Sequence, residues 1–243
     1  MSKHISEQKI KALLLAGGIG SRLRPLTDTT PKCLVDIGGK PLIQYWFDAL
    51  KRAGVNDVMI NTHHLPDPVR EYFAVKQSEG VNAVEFYEPE LLGSAGTIAA
   101  NRDWADDADH VLIVYADNLS DINLADLIRY HRSHDDPMTT LLFHAPVPEA
   151  CGIAELDDEN RIVSFVEKPE HPKSDLANAG LYVVTSDAWR EIADLNAFDI
   201  GYDVLPRFVG RMRGHTHGGY HRDIGTHEAL VEARQAVASL AIN

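Results

Sequence analysis

Apolar runs and amphipathic stretches take turns along this chain, and each kind predicts an element. "IKALLLA", from Ile10 to Ala16, is apolar almost throughout, as a strand covered on both faces would be. "KPLIQYWFDALKRAG" carries apolar residues at helical spacing and predicts a helix closed by Gly54 as its cap. "VNDVMINTH" predicts a strand, "DPVREYFAVKQSEG" a helix, "VNAVEFYEP" a strand and "GTIAANRDW" a short helix. "HVLIVYAD" is the most apolar strand of all, followed by a helix in "INLADLIRYHRSH" and a strand in "MTTLLFHAPV". Strand and helix in alternation are the α/β signature.

After residue 150 the rhythm changes. "CGIAELDDENRIVSFVEKP" predicts a hairpin turning at Asp157, Asp158, Glu159 and Asn160. "ANAGLYVVTS" predicts a strand, "DAWREIADL" a helix, and "DVLPRFVGRM" a second helix that Pro206 makes irregular. A strand around "GHTHGGY" precedes "HRDIGTHEALVEARQAVASL", which ends in an amphipathic helix. With no internal repeat, low-complexity tract or long linker, the 243 residues predict a single domain with a front half over about 9–145 and a back half over about 146–243.

Composition narrows the classes. A 44% hydrophobic and 24% charged content is ordinary for a globular protein, while a formal charge of −13 disfavours nucleic acid or an anionic membrane as partner. No apolar run is long enough to span a bilayer, and the opening "MSKHISEQKI" has no apolar leader core, so the expected compartment is the cytoplasm. Cys33 and Cys151 stand far apart without a CxxC pair and are expected to be free thiols.

Against that acidic background, "AGGIGSRLRPLTDTTPK" places Arg22, Arg24 and Lys32 directly behind glycines. It is not a Walker loop, because Gly20 is followed by Ser21 and Arg22 rather than Lys and Ser or Thr. Nor is it a dinucleotide loop: Gly18 and Gly20 begin GxGxxG, but Leu23 stands where the third glycine packs. What remains is a glycine loop whose N–H groups can face an anion with arginines in reach, or a plain turn beside solvated arginines. Asp117, ending "HVLIVYAD", sits at the carboxyl edge of a strand, where α/β sites lie; a turn or cap aspartate is the ordinary alternative. Asp223, in "HRDIGT", divides the same way between a site residue and a turn residue.

"LAGGIGSRLRPLTDTTPKCL" resembles the GxGxRLxPLTxxxPKxL signature of the sugar-1-phosphate nucleotidylyltransferases. "LLGSAGTI", "YADN", the "CGIAELDDENRIVSFVEKP" segment, "NAGLYVV" and "DIGTHEAL" follow in that family's order, so the resemblance runs from about residue 11 to residue 230. It implies a Rossmann-like three-layer α/β sandwich with a mainly parallel, mixed central sheet and a small β-rich sugar-binding portion. It also implies a nucleotide-binding front half and a sugar-binding back half, and because the chain stops soon after the Asp223 motif no C-terminal β-helix is expected. The implied reaction joins a nucleoside triphosphate to a sugar 1-phosphate and releases pyrophosphate.

By resemblance, Arg22 binds the β- and γ-phosphates, Lys32 reaches the α-phosphate and leaving group, and Lys168 binds the sugar phosphate. Asp117 and Asp223 hold Mg²⁺, which commonly takes one or two carboxylates beside phosphate oxygens. The base is expected near Leu15, Ala16 and Gly17 on one side and Gly93, Ser94 and Ala95 on the other, read by backbone groups. Glu167, Asn178 and Gly152 are expected at the sugar.

The chain departs from the pattern at Cys33 and His227, where the family commonly has proline, which bears on loop rigidity rather than charge. His215, His217 and His221 raise a zinc reading, but no cysteine or further histidine stands at familiar spacing.

"EPELLGSAGTI" is most similar to the guanylyl group's segment, so GTP with mannose or a manno-heptose 1-phosphate is the expected pair. The alternatives are a uridylyl- or thymidylyltransferase, a cytidylyltransferase of a phosphorylated alcohol, and a non-catalytic regulatory module. Relatives are often dimers or tetramers, so a homo-oligomer is a further expectation.

Overall fold

The computed structural model describes residues 8–78 and 80–240. The opening stretch read for a leader lies largely outside the described residues.

Strands β1 (Ile10–Leu15), β4 (Asp57–Thr62), β5 (Asn82–Tyr87) and β6 (His110–Tyr115) form the parallel heart of a nine-stranded sheet. β1 is its centre, pairing with β4 on one side and β6 on the other. Between them in sequence lie the short hairpin strands β2 (Asp36–Ile37) and β3 (Lys40–Pro41) and the helices α1 (Leu42–Arg52), α2 (Pro66–Ser78) and α3 (Gly93–Ala100). The chain steps outward from β1 to β4 and β5, then returns to β6 on the far side of β1. That reversal of direction opens a crevice at the carboxyl ends of β1 and β6.

Beyond β6 the sheet turns mixed. After β7 (Asn118–Ser120) and α4 (Leu124–His131) come β8 (Met138–His144), β9 (Gly152–Leu156), β10 (Ile162–Glu167) and the long β11 (Leu176–Thr185). β11 runs antiparallel to β6 and to β8, and β9 and β10 form the hairpin expected at Asp157–Asn160. The Asp157 carboxylate closes that turn by accepting from the N–H groups of Glu159 and Arg161. One sheet therefore runs through both halves of the chain.

Two apolar layers cover the sheet. Trp46, Phe47 and Leu50 of α1 and Leu127 of α4 pack on one face with Ala12 and Leu14 of β1. Trp189 and Ile192 of α5 (Ser186–Asp194) pack on the other with Leu13 and Leu15. The alternation of β1 between the two clusters is the period of a strand covered on both sides.

A third cluster joins Leu23, Ile37, Tyr45 and Leu119 to Leu230 and Ala233. It clamps the glycine loop beneath the last helix, α7 (His227–Leu240).

Two sequence expectations change in detail. The first helix ends at Arg52 with Ala53 as its cap, and Gly54 lies one residue beyond. Gly54 has φ +73, the left-handed position that lets its N–H and that of Val55 bond back into the helix. The expected helix over 203–212 is instead a π-type turn, Ile200–Val204, running into the short α6 (Leu205–Phe208). Pro206 sits in the first turn of α6, where its missing N–H is tolerated, and beyond Phe208 the chain turns at Gly210, φ +83, into β12 (Met212–His217).

Candidate active site

Two aspartates 106 positions apart meet because of a three-residue ladder. β7 pairs antiparallel with β13 (His221–Asp223), setting Asp223 opposite Asn118, and the Ile224 N–H donates to the carbonyl of Asp117. β7 is itself anchored: the Trp46 indole N–H donates to the Asn118 carbonyl, and the Asn118 amide donates to the Ala179 carbonyl.

Lys32 enters between the aspartates from the glycine loop. Its ammonium lies 2.8 Å from an oxygen of Asp117 and 3.1 Å from one of Asp223, and the Arg22 guanidinium stands 3.7 Å from the other Asp223 oxygen. The Lys32 side chain is only 7% exposed, against 37% and 53% for the carboxylates, so the cation is covered while the acids reach solvent. Burial works against its charge, but the two aspartates outweigh it and the Lys32 pKa is raised. Arg24 pairs with Asp28 instead, at 3.2 Å, and stays out of the group.

The loop that delivers Lys32 turns at Gly20, φ +67, where the Thr27 hydroxyl donates to the Gly20 carbonyl. A Cβ there would sit 2.9 Å from the Thr27 methyl and 3.3 Å from the Lys32 Cβ, so glycine is needed for both conformation and space. Gly18 faces open space.

The expected base region holds a buried polar network. The Asn61 carbonyl oxygen accepts from the N–H groups of Ala16 and Gly17, and its amide donates to Glu88. Glu88, fully buried, also accepts from the Thr97 hydroxyl and the Leu92 N–H. The Ala16 and Gly17 N–H groups are thus already paired, and so is the Ala95 N–H, which donates to the Phe198 carbonyl. Gly93, φ +77, packs directly beneath Phe198. The network ties the Leu15–Gly17 segment toward Gly93–Ala95, and these three N–H groups are taken up by it. Sequence reasoning missed Asn61 and Glu88; their one signal was polarity at the carboxyl ends of adjacent parallel strands.

A cavity of about 330 Å³ opens beside Asp117 and Asp223, and Gly152, Glu167, Lys168 and Asn178 all line it. Asn178 donates to the Tyr182 hydroxyl and accepts from the Gly180 N–H. Lys168, φ +49, is held by its N–H to the Cys151 carbonyl and carries its ammonium 5.8 Å from the centre of the Tyr202 ring. Burial raises the Glu167 pKa; Lys168 opposes the rise and Asp199 adds to it. Asp199, Gly201 and Tyr202, in and beside the π-type turn, also line the cavity, and none of the three is among the residues expected from sequence. The turn overlaps the start of the expected helix, although π-type insertions gather at functional sites.

The histidines do not assemble. His215 stacks on Tyr130, His217 pairs with Asp121 at 2.7 Å, and His221 packs on Phe143. Among the described residues no three His, Cys, Asp or Glu side chains group as a metal would require. The His227 ring lies 3.1 Å from the Arg24 carbonyl, tying α7 to the loop at the position where the family commonly has proline. Cys33 and Cys151 are both free; Cys33 is buried, which pushes its thiol pKa up to about 12. No described helix is long and apolar enough to cross a membrane.

A family model described as nucleotidyl transferase matches residues 11–239. A mannose-1-phosphate guanylyltransferase of Mycobacterium tuberculosis is 30% identical over 231 residues, covering 93% of this chain and 64% of the relative. A glucose-1-phosphate thymidylyltransferase of Streptomyces antibioticus is 31% identical over 244 residues, covering 94% of this chain and 66% of the relative. The chain thus spans just under two thirds of these relatives' lengths. A crystal structure from Bacillus anthracis, assigned as a glucose-1-phosphate thymidylyltransferase and holding a sucrose, superposes with a TM-score of 0.82 at 27% identity. That match covers 95% of this chain and 96% of the other.

Proposed function

The chain belongs to the nucleotidyl transferase family, and from that premise we propose that it transfers a nucleotidyl group from a nucleoside triphosphate to a sugar 1-phosphate, releasing pyrophosphate. The observation that carries this reading is the meeting of Lys32, Arg22, Asp117 and Asp223 at the mouth of a cavity that also holds Lys168.

In this reading the sugar phosphate lies against Lys168 and the triphosphate against Lys32 and Arg22. An oxygen of the sugar phosphate forms a new bond to the α-phosphorus as the bond to pyrophosphate breaks. The protein's part is to hold two anions in line and to offset charge on the leaving group. Lys32 is covered and pre-placed, so its charge acts at short range with little solvent screening.

Asp117 and Asp223 fit a divalent cation, because both already converge on one ammonium and both keep a solvent-facing side for phosphate oxygens and water. Mg²⁺ held there would supply Lewis-acid stabilisation of the phosphates.

We further propose GTP and a mannose-type sugar 1-phosphate as the substrates. Support comes from the "LLGSAG" segment and from the guanylyltransferase among the relatives. A thymidylyltransferase reading has its own support in the Streptomyces relative and the Bacillus anthracis structure.

The test is pyrophosphate release with Mg²⁺ over a grid of five nucleoside triphosphates and several sugar 1-phosphates. Turnover confined to GTP with a manno-sugar supports both parts. Turnover with dTTP and glucose 1-phosphate keeps the reaction and replaces the substrates. No turnover by the folded protein with any pair rejects the reaction.

A further inference from the structure

The four carboxylates of the cleft are not alike. Asp117 and Asp223 are paired with Lys32 and Arg22. Among the described residues, Glu167 and Asp199 have no ion-pair partner, although both line the same cavity. Asp199 is fixed from behind: one oxygen accepts from the Tyr202 N–H at 2.9 Å, the other from the Ser94 hydroxyl at 3.2 Å. The Ile200 N–H in turn donates to the Ser94 oxygen, which locks the start of the π-type turn.

Glycines set how closely these acids approach. A Cβ at Gly201 would lie 2.9 Å from a Glu167 oxygen and 3.2 Å from an Asp199 oxygen. A Cβ at Gly152 would overlap the same Glu167 oxygen outright. Both carboxylates therefore crowd one patch of bare backbone in a cavity of about 330 Å³. An ionised carboxylate only accepts hydrogen bonds. A wall made of two of them welcomes hydroxyl or ammonium donors and repels an anionic substituent.

We infer that Asp199 is a second sugar-reading carboxylate beside Glu167, and that together they restrict the acceptor to neutral or amino sugar 1-phosphates and exclude uronic acid 1-phosphates. The inference rests on the transferase reading above and names the acceptor class for that same site. Lys168, held against Tyr202 in the same cavity, is left to take the one anion the acceptor must carry.

The experiment compares kcat/KM of the wild-type protein for mannose, glucose, glucosamine and glucuronic acid 1-phosphates, with the accepted triphosphate saturating, and repeats it for Asp199→Asn. The expected wild-type preference for the neutral and amino sugars over glucuronic acid 1-phosphate is at least ~100-fold, the scale of a like-charge clash. Asp199→Asn should raise the KM of the neutral sugar about tenfold, narrow the discrimination against glucuronic acid 1-phosphate about tenfold, and leave the triphosphate KM within about twofold. A merely structural role for Asp199 would move the thermal midpoint and both KM values together.

A wild-type protein that uses glucuronic acid 1-phosphate as well as glucose 1-phosphate overturns the inference while keeping the transferase reading. So does a folded Asp199→Asn protein with unchanged sugar KM. Silence of the wild type on every sugar phosphate rejects the transferase reading itself. If Asp199→Asn fails to fold, the wild-type discrimination ratio alone decides.

Discussion

The two ends of the cleft handle charge in opposite ways. At the glycine-loop end, Lys32 and Arg22 are matched by Asp117 and Asp223, so two cations and two anions sit in mutual contact. At the cavity end, Glu167 and Asp199 have no ion-pair partner among the described residues and stand on a floor of glycine. A balanced group can be opened by a highly charged ligand, which offers each partner a replacement. An unbalanced pair of acceptors suits a ligand that brings donors. In the proposed reading the difference separates a region that receives polyanions from one that receives hydroxyls.

The comparison is broken most severely at its balanced end. Asp117→Ala or Asp223→Ala is expected to lower kcat by ~10³-fold or more, because each removes a ligand of the proposed Mg²⁺, whose positive charge would stabilise the reacting phosphates. Pyrophosphate release at saturating substrates measures this, with circular dichroism to confirm folding; near-normal turnover would remove both residues from the metal role.

The next largest effect is expected at the network behind the loop. Glu88→Ala would take an acceptor from the buried Asn61 and Thr97 side chains, leaving them only the weaker bonds to Thr97 and the Gly93 carbonyl, and from the half-buried Leu92 N–H. Losing these bonds costs on the order of 3 kcal/mol in total, which for a chain of this size lowers Tm by roughly 6–12 °C. Calorimetry decides: a Tm within about 2 °C of wild type would mean that water replaces the carboxylate.

At the cavity end, Asn178→Ala is expected to raise the sugar KM about tenfold, the scale of one or two lost hydrogen bonds, and the triphosphate KM much less. Equal effects on both would mean that the sugar lies elsewhere.

The smallest effect lies far from both ends and tests whether losses of activity are local. His131 is buried between His110 and His134, and its pKa is lowered to about 3, first by burial and then by those neighbours and Arg132. A histidine whose folded pKa lies below its unfolded value favours the unfolded chain once the unfolded form binds protons. Stability on this account is full above about pH 6.5 and declines as pH falls from there toward 3. His131→Gln should flatten Tm against pH between about 6.5 and 5, leaving kcat at neutral pH unchanged; an unaltered slope would assign the acid sensitivity to other groups.

The sheet and helices were legible in the sequence wherever burial imposes a period. β1, β6 and α1 are examples, because each must face one or two apolar layers. The glycine loop was legible through its likeness to the family signature, and its Lys32 comes to lie between Asp117 and Asp223. The π-type turn at Ile200–Val204 was not, since it differs from an ordinary helix start only in how the backbone bonds are shared. Asn61 and Glu88 escaped for another reason: their partners are backbone N–H groups and a threonine, contacts that no local pattern announces. Asp117 and Asp223 were identified one by one, but their meeting depends on the ladder between β7 and β13, a pairing over a separation no sequence window covers.

That ladder also sets a timetable. Ribosomal synthesis completes β1, β4, β5 and β6 long before Asp223 emerges, and domains begin to organise while the chain is still growing. The parallel core and the half-site at Asp117 can therefore exist on a nascent chain that has no means of reacting. In the proposed reaction, competence would arrive only when the last short strand docks beside β7 and α7 packs over the loop, so activity would report that synthesis has passed those elements and that they have folded.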